Sequence, residues 1–157
     1  MPHSPPRLGV PHAGNGARVT LVCGPPCGGK NTYVAEHAQP GDLVVDLDAL
    51  ITALGGNGGH DHPAALLPLA FDARDAVMAR LWSGRHEVQR AWVISCAPTR
   101  RERAPFRMRG AKVVMVKADR DVLLKRADVE RPTGWPSYVD NWLDEYETAD
   151  VDAIVET

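Results

Sequence analysis

Val19-Thr20-Leu21-Val22-Cys23 is a short apolar, β-branched run, and it opens directly onto Gly24-Pro25-Pro26-Cys27-Gly28-Gly29-Lys30-Asn31-Thr32. Residues 24 to 30 satisfy the phosphate-binding pattern G-x-x-x-x-G-K-[ST] up to its last position. Glycines in that pattern let successive backbone N–H groups turn inward on phosphate oxygens, while the lysine brings a full positive charge to the β- and γ-phosphates. From Thr32 to Ala38 the chain reads as helix, so strand, loop and helix arrive in the required order. A helix N-terminus at that point adds its own partial positive charge to the anion site. A ligand-free Gly/Pro turn would leave Gly29-Lys30 at this offset unexplained. The ligand expected is a nucleoside triphosphate, ATP, held by Gly24, Cys27, Gly28, Gly29, Lys30, Asn31 and Thr32.

One position departs from the pattern. Where Ser or Thr would offer a hydroxyl to Mg²⁺, the chain has Asn31. Magnesium is a hard cation that accepts neutral oxygen donors, so an amide oxygen can replace the hydroxyl, with Thr32 next door. Asn31 and Asp46 are the candidate metal ligands.

Working outward, 157 residues with 44% hydrophobic content suffice for one domain with a core and not for two ordinary ones. The expected division is a flexible N-terminal arm over 1–17, rich in Pro and Gly and poor in large apolar side chains, followed by a domain over 18–157. A net charge of −2 gives no general attraction to duplex DNA or to a membrane surface. Three cysteines do not make a disulfide framework, and no Cys/His spacing fits zinc. Cys23 and Cys96 read as small buried apolar residues, and Cys27 as a point where oxidation would reach the loop. With no apolar run of about 20 residues and no signal peptide, a cytoplasmic protein without a membrane partner is expected.

Leu43-Val44-Val45-Asp46, Ala91 to Cys96 and Ala111 to Val116 are continuous apolar runs, the pattern of strands in a parallel sheet covered on both faces. Between them Leu66, Ala70, Ala73, Val77 and Leu81 form one helical stripe, widened by Leu67, Phe71, Met78 and Trp82. Thr99-x-x-Glu102 is a capping box; Asp119 and Ser137-x-x-Asp140 mark two further helix starts. The alternation gives an α/β fold, three layers around a mostly parallel sheet of four or five strands, the fifth from Val151 to Val155.

Asp46 and Asp48 stand at the C-terminal end of the second strand, the edge where open parallel sheets bind ligands. Asp48 can accept a proton from an attacking hydroxyl while Asp46 holds Mg²⁺ directly or through water. The structural reading of Asp48 is an N-cap for Ala49 to Ala53. The glycine-rich segment 55–59 leads to His60, Asp61 and His62, which read as loop residues rather than metal ligands. Lys125, Arg126 and Arg131 read as the end of a helix, and Arg126 and Arg131 as cations that close on the triphosphate. Arg74 and Arg80 are candidates for a phosphorylated acceptor. Arg100, Arg101, Arg103, Arg107, Arg109 and Lys112 form the most basic stretch, read chiefly as solvated surface.

Taken together, Gly24 to Thr32, Asp46-Leu47-Asp48 and Lys125 to Pro132 resemble the small P-loop kinases, above all the kinase domain of polynucleotide kinases and related phage-type nucleotide or DNA-base kinases. The likeness spans residues 18 to 148. It implies a sheet order of 2-3-1-4-5, with Ser95 and Cys96 beside the phosphate loop. It also implies Asp48 as the base that activates a hydroxyl, Lys30 as the phosphate-binding lysine and Arg126 as the lid arginine. The third strand departs from the common pattern: Ser95-Cys96-Ala97 stands where many P-loop proteins carry a magnesium-organising acid. The activity implied is transfer of the γ-phosphoryl of ATP to a hydroxyl or phosphate of a nucleotide or nucleic-acid acceptor. Two alternatives stay open: an ATP-binding regulatory or packaging-related NTPase module without an acceptor, and a small-metabolite or nucleoside monophosphate kinase.

Overall fold

A computed structural model of the protein describes residues 16–58, 62–130 and 134–157. All but Gly16 and Ala17 of the expected N-terminal arm lies outside them. Each apolar run becomes a strand: β1 (Arg18–Cys23), β2 (Leu43–Val45), β3 (Arg90–Ile94) and β4 (Lys112–Lys117), joined by β5 (Ala153–Glu156). Every pairing is parallel and the order is β2-β3-β1-β4-β5. β1 is therefore central, between β3 and β4; the chain leaves β1 for β2 on one side and leaves β3 for β4 on the other. The loop at the C-terminal end of β1 lies at the crevice this divergence opens.

Helices α1 (Lys30–His37), α2 (Leu47–Ala53), α3 (Leu67–Ser83), α4 (Arg100–Arg107), α5 (Arg120–Glu130) and α6 (Trp135–Glu145) supply the crossovers and the outer layers. Strand pleating sends alternate residues to opposite faces. Leu21, Cys23, Val93, Val113 and Met115 form one core with Leu81 of α3 and Trp142 of α6. Val22, Val114, Val116 and Trp92 form the other with Val34 of α1. Both faces are thus covered, which is why the strands read as unbroken apolar runs rather than alternating ones.

The α3 stripe packs as its periodicity predicts, with Ala70 and Leu81 buried and Val77, Met78 and Trp82 against the core. Phe71 falls outside it, exposed, with the Arg74 guanidinium over its ring at 4.9 Å. Thr99 and Glu102 form the expected capping box at the start of α4. The last helix opens earlier than expected: Gly134, at φ 99°, is its N-cap, and Ser137 lies within its first turn, donating its hydroxyl to the Gly134 carbonyl. α2 also begins sooner. β2 stops at Val45, so Asp46 is the N-cap and its carboxylate accepts from the Asp48 N–H at 3.2 Å. Asp48 lies in the first helical turn and does not cap.

The basic stretch is solvated surface at Arg100, Arg101, Arg107, Arg109 and Lys112, as expected, but not at Arg103. Arg103 is fully buried. Its guanidinium donates to Asp150 through two bonds (3.1 and 2.7 Å) and to the carbonyls of Ala97, Pro98 and Glu147 at 2.8, 2.7 and 2.5 Å. Burial alone would weaken its charge; the hydrogen bonds to Asp150 and the charge of that carboxylate more than offset this and hold the guanidinium above its ordinary pKa. Arg107 pairs with Asp152 at 2.7 Å, and Arg109 lies over the Trp82 ring. α4 has only Ala104 and Phe106 as partly buried apolar residues, and Arg103 completes its inner face.

Candidate active site

The phosphate loop is braced from below by β4. A Cβ on Gly24, whose φ is +152°, would lie 2.0 Å from the Val116 carbonyl oxygen, and one on Gly28 would lie 2.8 Å from the same atom. Only glycine permits that approach. Between them Cys27 adopts a left-handed φ of 61°, followed by Gly29 at 93°, the kind of backbone that turns N–H groups inward. The Gly28 N–H closes a tight turn on the Pro25 carbonyl at 3.1 Å. Lys30 opens α1, and its ammonium lies within the rim, donating to the Gly24 and Pro25 carbonyls (3.0 and 2.7 Å) with Cys96 Sγ at 3.9 Å. The Gly24 N–H donates to the Cys96 carbonyl at 3.3 Å, so Cys96 does stand beside the loop.

Cys96 is exposed, contrary to its reading as a buried apolar residue, because β3 ends at Ile94 and the chain is already leaving the sheet. Cys27, by contrast, is buried. Burial pushes the Cys23 thiol up to about 11, which makes it a packing residue rather than a nucleophile.

On the side of α2, the Asn31 side-chain nitrogen donates to Asp46 Oδ2 at 2.9 Å. This one bond ties the start of α1 to the end of β2, bringing the residue after Lys30 to the aspartate pair. The amide nitrogen being committed to Asp46, the amide oxygen is the atom through which Asn31 would hold a cation. Asp46 already accepts at both carboxylate oxygens, from Asn31 and from the Asp48 N–H, which suits a carboxylate acting through a metal-bound water. Asp48 points its carboxylate to a partly open surface, 43% exposed, and His62 Nε2 lies 2.6 Å from its Oδ1.

On the side of α5, Arg126 donates to the Cys27 carbonyl and to the Thr157 hydroxyl, both at 3.0 Å. Thr157 in turn donates to the Gly28 carbonyl at 3.0 Å. The helix expected to end at Arg131 runs on to Glu130 within the described residues, so Arg126 lies a full turn inside it and its place at the loop is not a helix-end effect. A cleft of about 740 Å³, lined by Gly28, Lys30, Asn31, Arg126, Glu130 and Thr157 among others, opens here. That volume is in the range of small-molecule sites, which run to roughly 300–1,000 Å³. Among the described residues no three His, Cys, Asp or Glu side chains gather into a metal-binding group. No helix among them is long and apolar enough to cross a membrane.

The chain matches the AAA domain family over residues 19–131. It belongs to this AAA domain family. No curated protein matches its sequence. Solved structures with similar folds include a sugar kinase from Janibacter sp. HTCC2649 (TM-score 0.55, 16% identity, covering 89% of this chain and 85% of that one). Shikimate kinase from Acinetobacter baumannii, in complex with shikimate, gives a TM-score of 0.55 at 19% identity, covering 90% and 84%. A gluconokinase from Sinorhizobium meliloti 1021 gives 0.56 at 19%, covering 88% and 82%. At such identities the likeness is one of fold: the AAA domain has the P-loop kinase fold, with its parallel sheet in the order 2-3-1-4-5.

Within this AAA domain the structure gathers Gly24, Cys27, Gly28, Gly29, Lys30, Asn31, Asp46 and Arg126 around one loop, with Asp48 beside them in the first turn of α2. Thr32 follows in α1 and lines the same cleft. Arg131 lies outside the described residues, as do His60 and Asp61. Arg74 and Arg80 are not brought together for a phosphate: Arg74 contacts Asp75 and the Phe71 ring, while Arg80 donates to the Arg85 carbonyl. Arg80 lies near the end of α3, which leads into the start of β3 and so to the opposite edge of the sheet. His62 and Thr157 are the site residues that sequence reasoning passed over.

Proposed function

We propose that residues 18–157 form a phosphotransferase domain that moves the γ-phosphoryl group of ATP to a hydroxyl acceptor. The observation that supports this reading is the Asn31–Asp46 bond, which joins the phosphate loop to the segment that carries both aspartates. Backbone N–H groups of the loop and Lys30 hold the phosphates, with Lys30 exchanging its carbonyl partners for phosphate oxygens. Asn31 and, through water, Asp46 would hold Mg²⁺, which when bound neutralises charge on the β- and γ-oxygens. The acceptor hydroxyl oxygen forms the new bond to the γ-phosphorus, the bond from that phosphorus to the β-bridging oxygen breaks, the proton passes to the Asp48 carboxylate, and ADP leaves. Arg126, held at the loop from α5, supplies positive charge on the far side of the phosphates.

The acceptor follows from the chemistry of Asp48. A carboxylate base assists a neutral hydroxyl and repels an acceptor phosphate dianion, and Arg74 and Arg80 do not form the cationic pocket such a phosphate needs. The acceptor is therefore an alcohol: a 5′-hydroxyl of a nucleotide or polynucleotide, following the polynucleotide-kinase resemblance, or a polyol metabolite, following the sugar, shikimate and gluconate named for the neighbours. A second reading, an ATP-binding module without an acceptor, draws on Asn31 and on Ser95-Cys96-Ala97 at the third strand.

The deciding experiment is γ-phosphoryl transfer from labelled ATP with Mg²⁺ to a panel of 5′-hydroxyl DNA and RNA, deoxynucleosides, modified-base DNA, sugars, gluconate and shikimate. Labelling of an alcohol by the wild type, reduced about 10²–10⁴-fold in Asp48→Asn with ATP binding retained, supports the kinase. ATP uptake with no labelling in either form supports the module.

A further inference from the structure

We propose that His62 is a positioning residue for Asp48, and that the glycine segment between α2 and α3 exists to return the chain so that its imidazole can take this place. This role presupposes Asp48 as the base. His62 Nε2 lies 2.6 Å from Asp48 Oδ1, across fourteen residues of chain. Gly55 at φ +117° and Gly58 at φ +80° take left-handed conformations in the segment that leaves α2. The imidazole is 19% exposed whereas the carboxylate is 43% exposed. The imidazole is thus the more enclosed of the two.

The cap of α2 is Asp46, so the orientation of the Asp48 carboxylate is set by tertiary contacts and not by the helix start. A base must lie within about 3 Å of the proton it accepts, so the contacts that set its rotamer bear directly on its work. In phosphoryl transfer the base serves chiefly to orient the nucleophile, because proton transfer runs late and the charge lies on the transferring group. A donor that fixes the carboxylate plane is then worth more than one that raises its basicity. Orienting partners of this kind typically contribute about 10–100-fold.

The test compares His62→Ala, His62→Gln, Asp48→Asn and the Ala/Asn double variant of the full chain, with Mg·ATP as donor and the alcohol panel and water as acceptors. Expected for His62→Ala is a kcat lower by about 10–100-fold, with KM for ATP and melting temperature little changed. His62→Gln, whose amide nitrogen reaches the same place, restores most of the rate. In the Asp48→Asn background, His62→Ala has no further effect. Independently of any acceptor, long-range ¹H–¹⁵N NMR should show His62 as the Nε2–H tautomer in the wild type and a mixture in Asp48→Asn.

An unchanged kcat in His62→Ala while Asp48→Asn is inactive overturns the positioning role and leaves the base in place. Full transfer by Asp48→Asn removes the base and the role of His62 with it, as does a wild type that turns over no ATP. A His62 found as the Nδ1–H tautomer, or a loss in His62→Ala that Gln does not rescue and that tracks a fallen melting temperature, also overturns the proposal.

Discussion

Arg103 and Arg126 lie on successive helices of one basic-rich half of the chain, and the structure uses them in opposite ways. Arg103 is fully buried, with five hydrogen bonds that join the end of β3 to the segment between α6 and β5. Arg126 is half-buried at the rim of the phosphate cleft, with two bonds to the loop and to Thr157. A guanidinium with five donors fully engaged has nothing left for a ligand; one with donors to give can exchange them. The lesson concerns where to look for chemistry: in the side chain whose bonding capacity is only partly used, not in the one with most bonds.

That contrast can be broken or sharpened by substitution. Arg103→Leu leaves the partly enclosed Asp150 and the carbonyls of Ala97, Pro98 and Glu147 without their donor and should cost about 3–5 kcal/mol, a melting temperature lower by roughly 6–20 °C in a thermal melt. Any full-length protein that still folds should keep its ATP affinity. Lys30→Met, at the other region, should lower transfer by about 10²–10³-fold while the melting curve stays in place, since in the fold the lysine holds two loop carbonyls and the Cys96 sulfur and none of the core. Arg126→Ala should weaken ATP binding roughly tenfold by calorimetry, with little change in stability. If Arg126→Ala instead behaves as Arg103→Leu does, the two arginines are both architecture and the contrast collapses.

The smallest effect lies at the opposite edge of the sheet. Asp42 accepts from the Gln39 N–H, from Trp92 Nε1 and from Arg90, and these bonds lower its pKa to about 2 from an ordinary 3.8. A carboxyl held low in the folded state contributes stability that is full above its unfolded value and fades as pH falls toward its folded one. Unfolding followed between pH 7 and 2 should therefore show a loss below about pH 4 that is shallower in Asp42→Asn. Identical acid profiles would remove Asp42 from the account.

How much of this was legible in the chain depended on the range of the interaction. The phosphate loop, its flanking strand and helix, and the capping box at Thr99 are written in adjacent residues and appear where the sequence puts them. Sheet order came from the resemblance rather than from periodicity, because apolar runs do not name their neighbours. Asp46 and Asp48 are both good cap types; what chose Asp46 was the end of β2 one residue earlier, a matter of pairing with β3. Arg103 and Asp150 are 47 residues apart, and nothing near either marks the other. The only local sign was a helix too poor in apolar residues to bury its inner face without an arginine. His62 was hidden in the same way, since a glycine run fixes no register for the residues after it.

The bracing of the phosphate loop against β4 has a thermodynamic corollary. Because Gly24 and Gly28 are seated on the Val116 carbonyl before any anion arrives, the backbone freedom that a loose glycine-rich segment would surrender on capture is already lost when the sheet assembles. Recognition of a phosphate tail then begins from a loop that the sheet already holds in place.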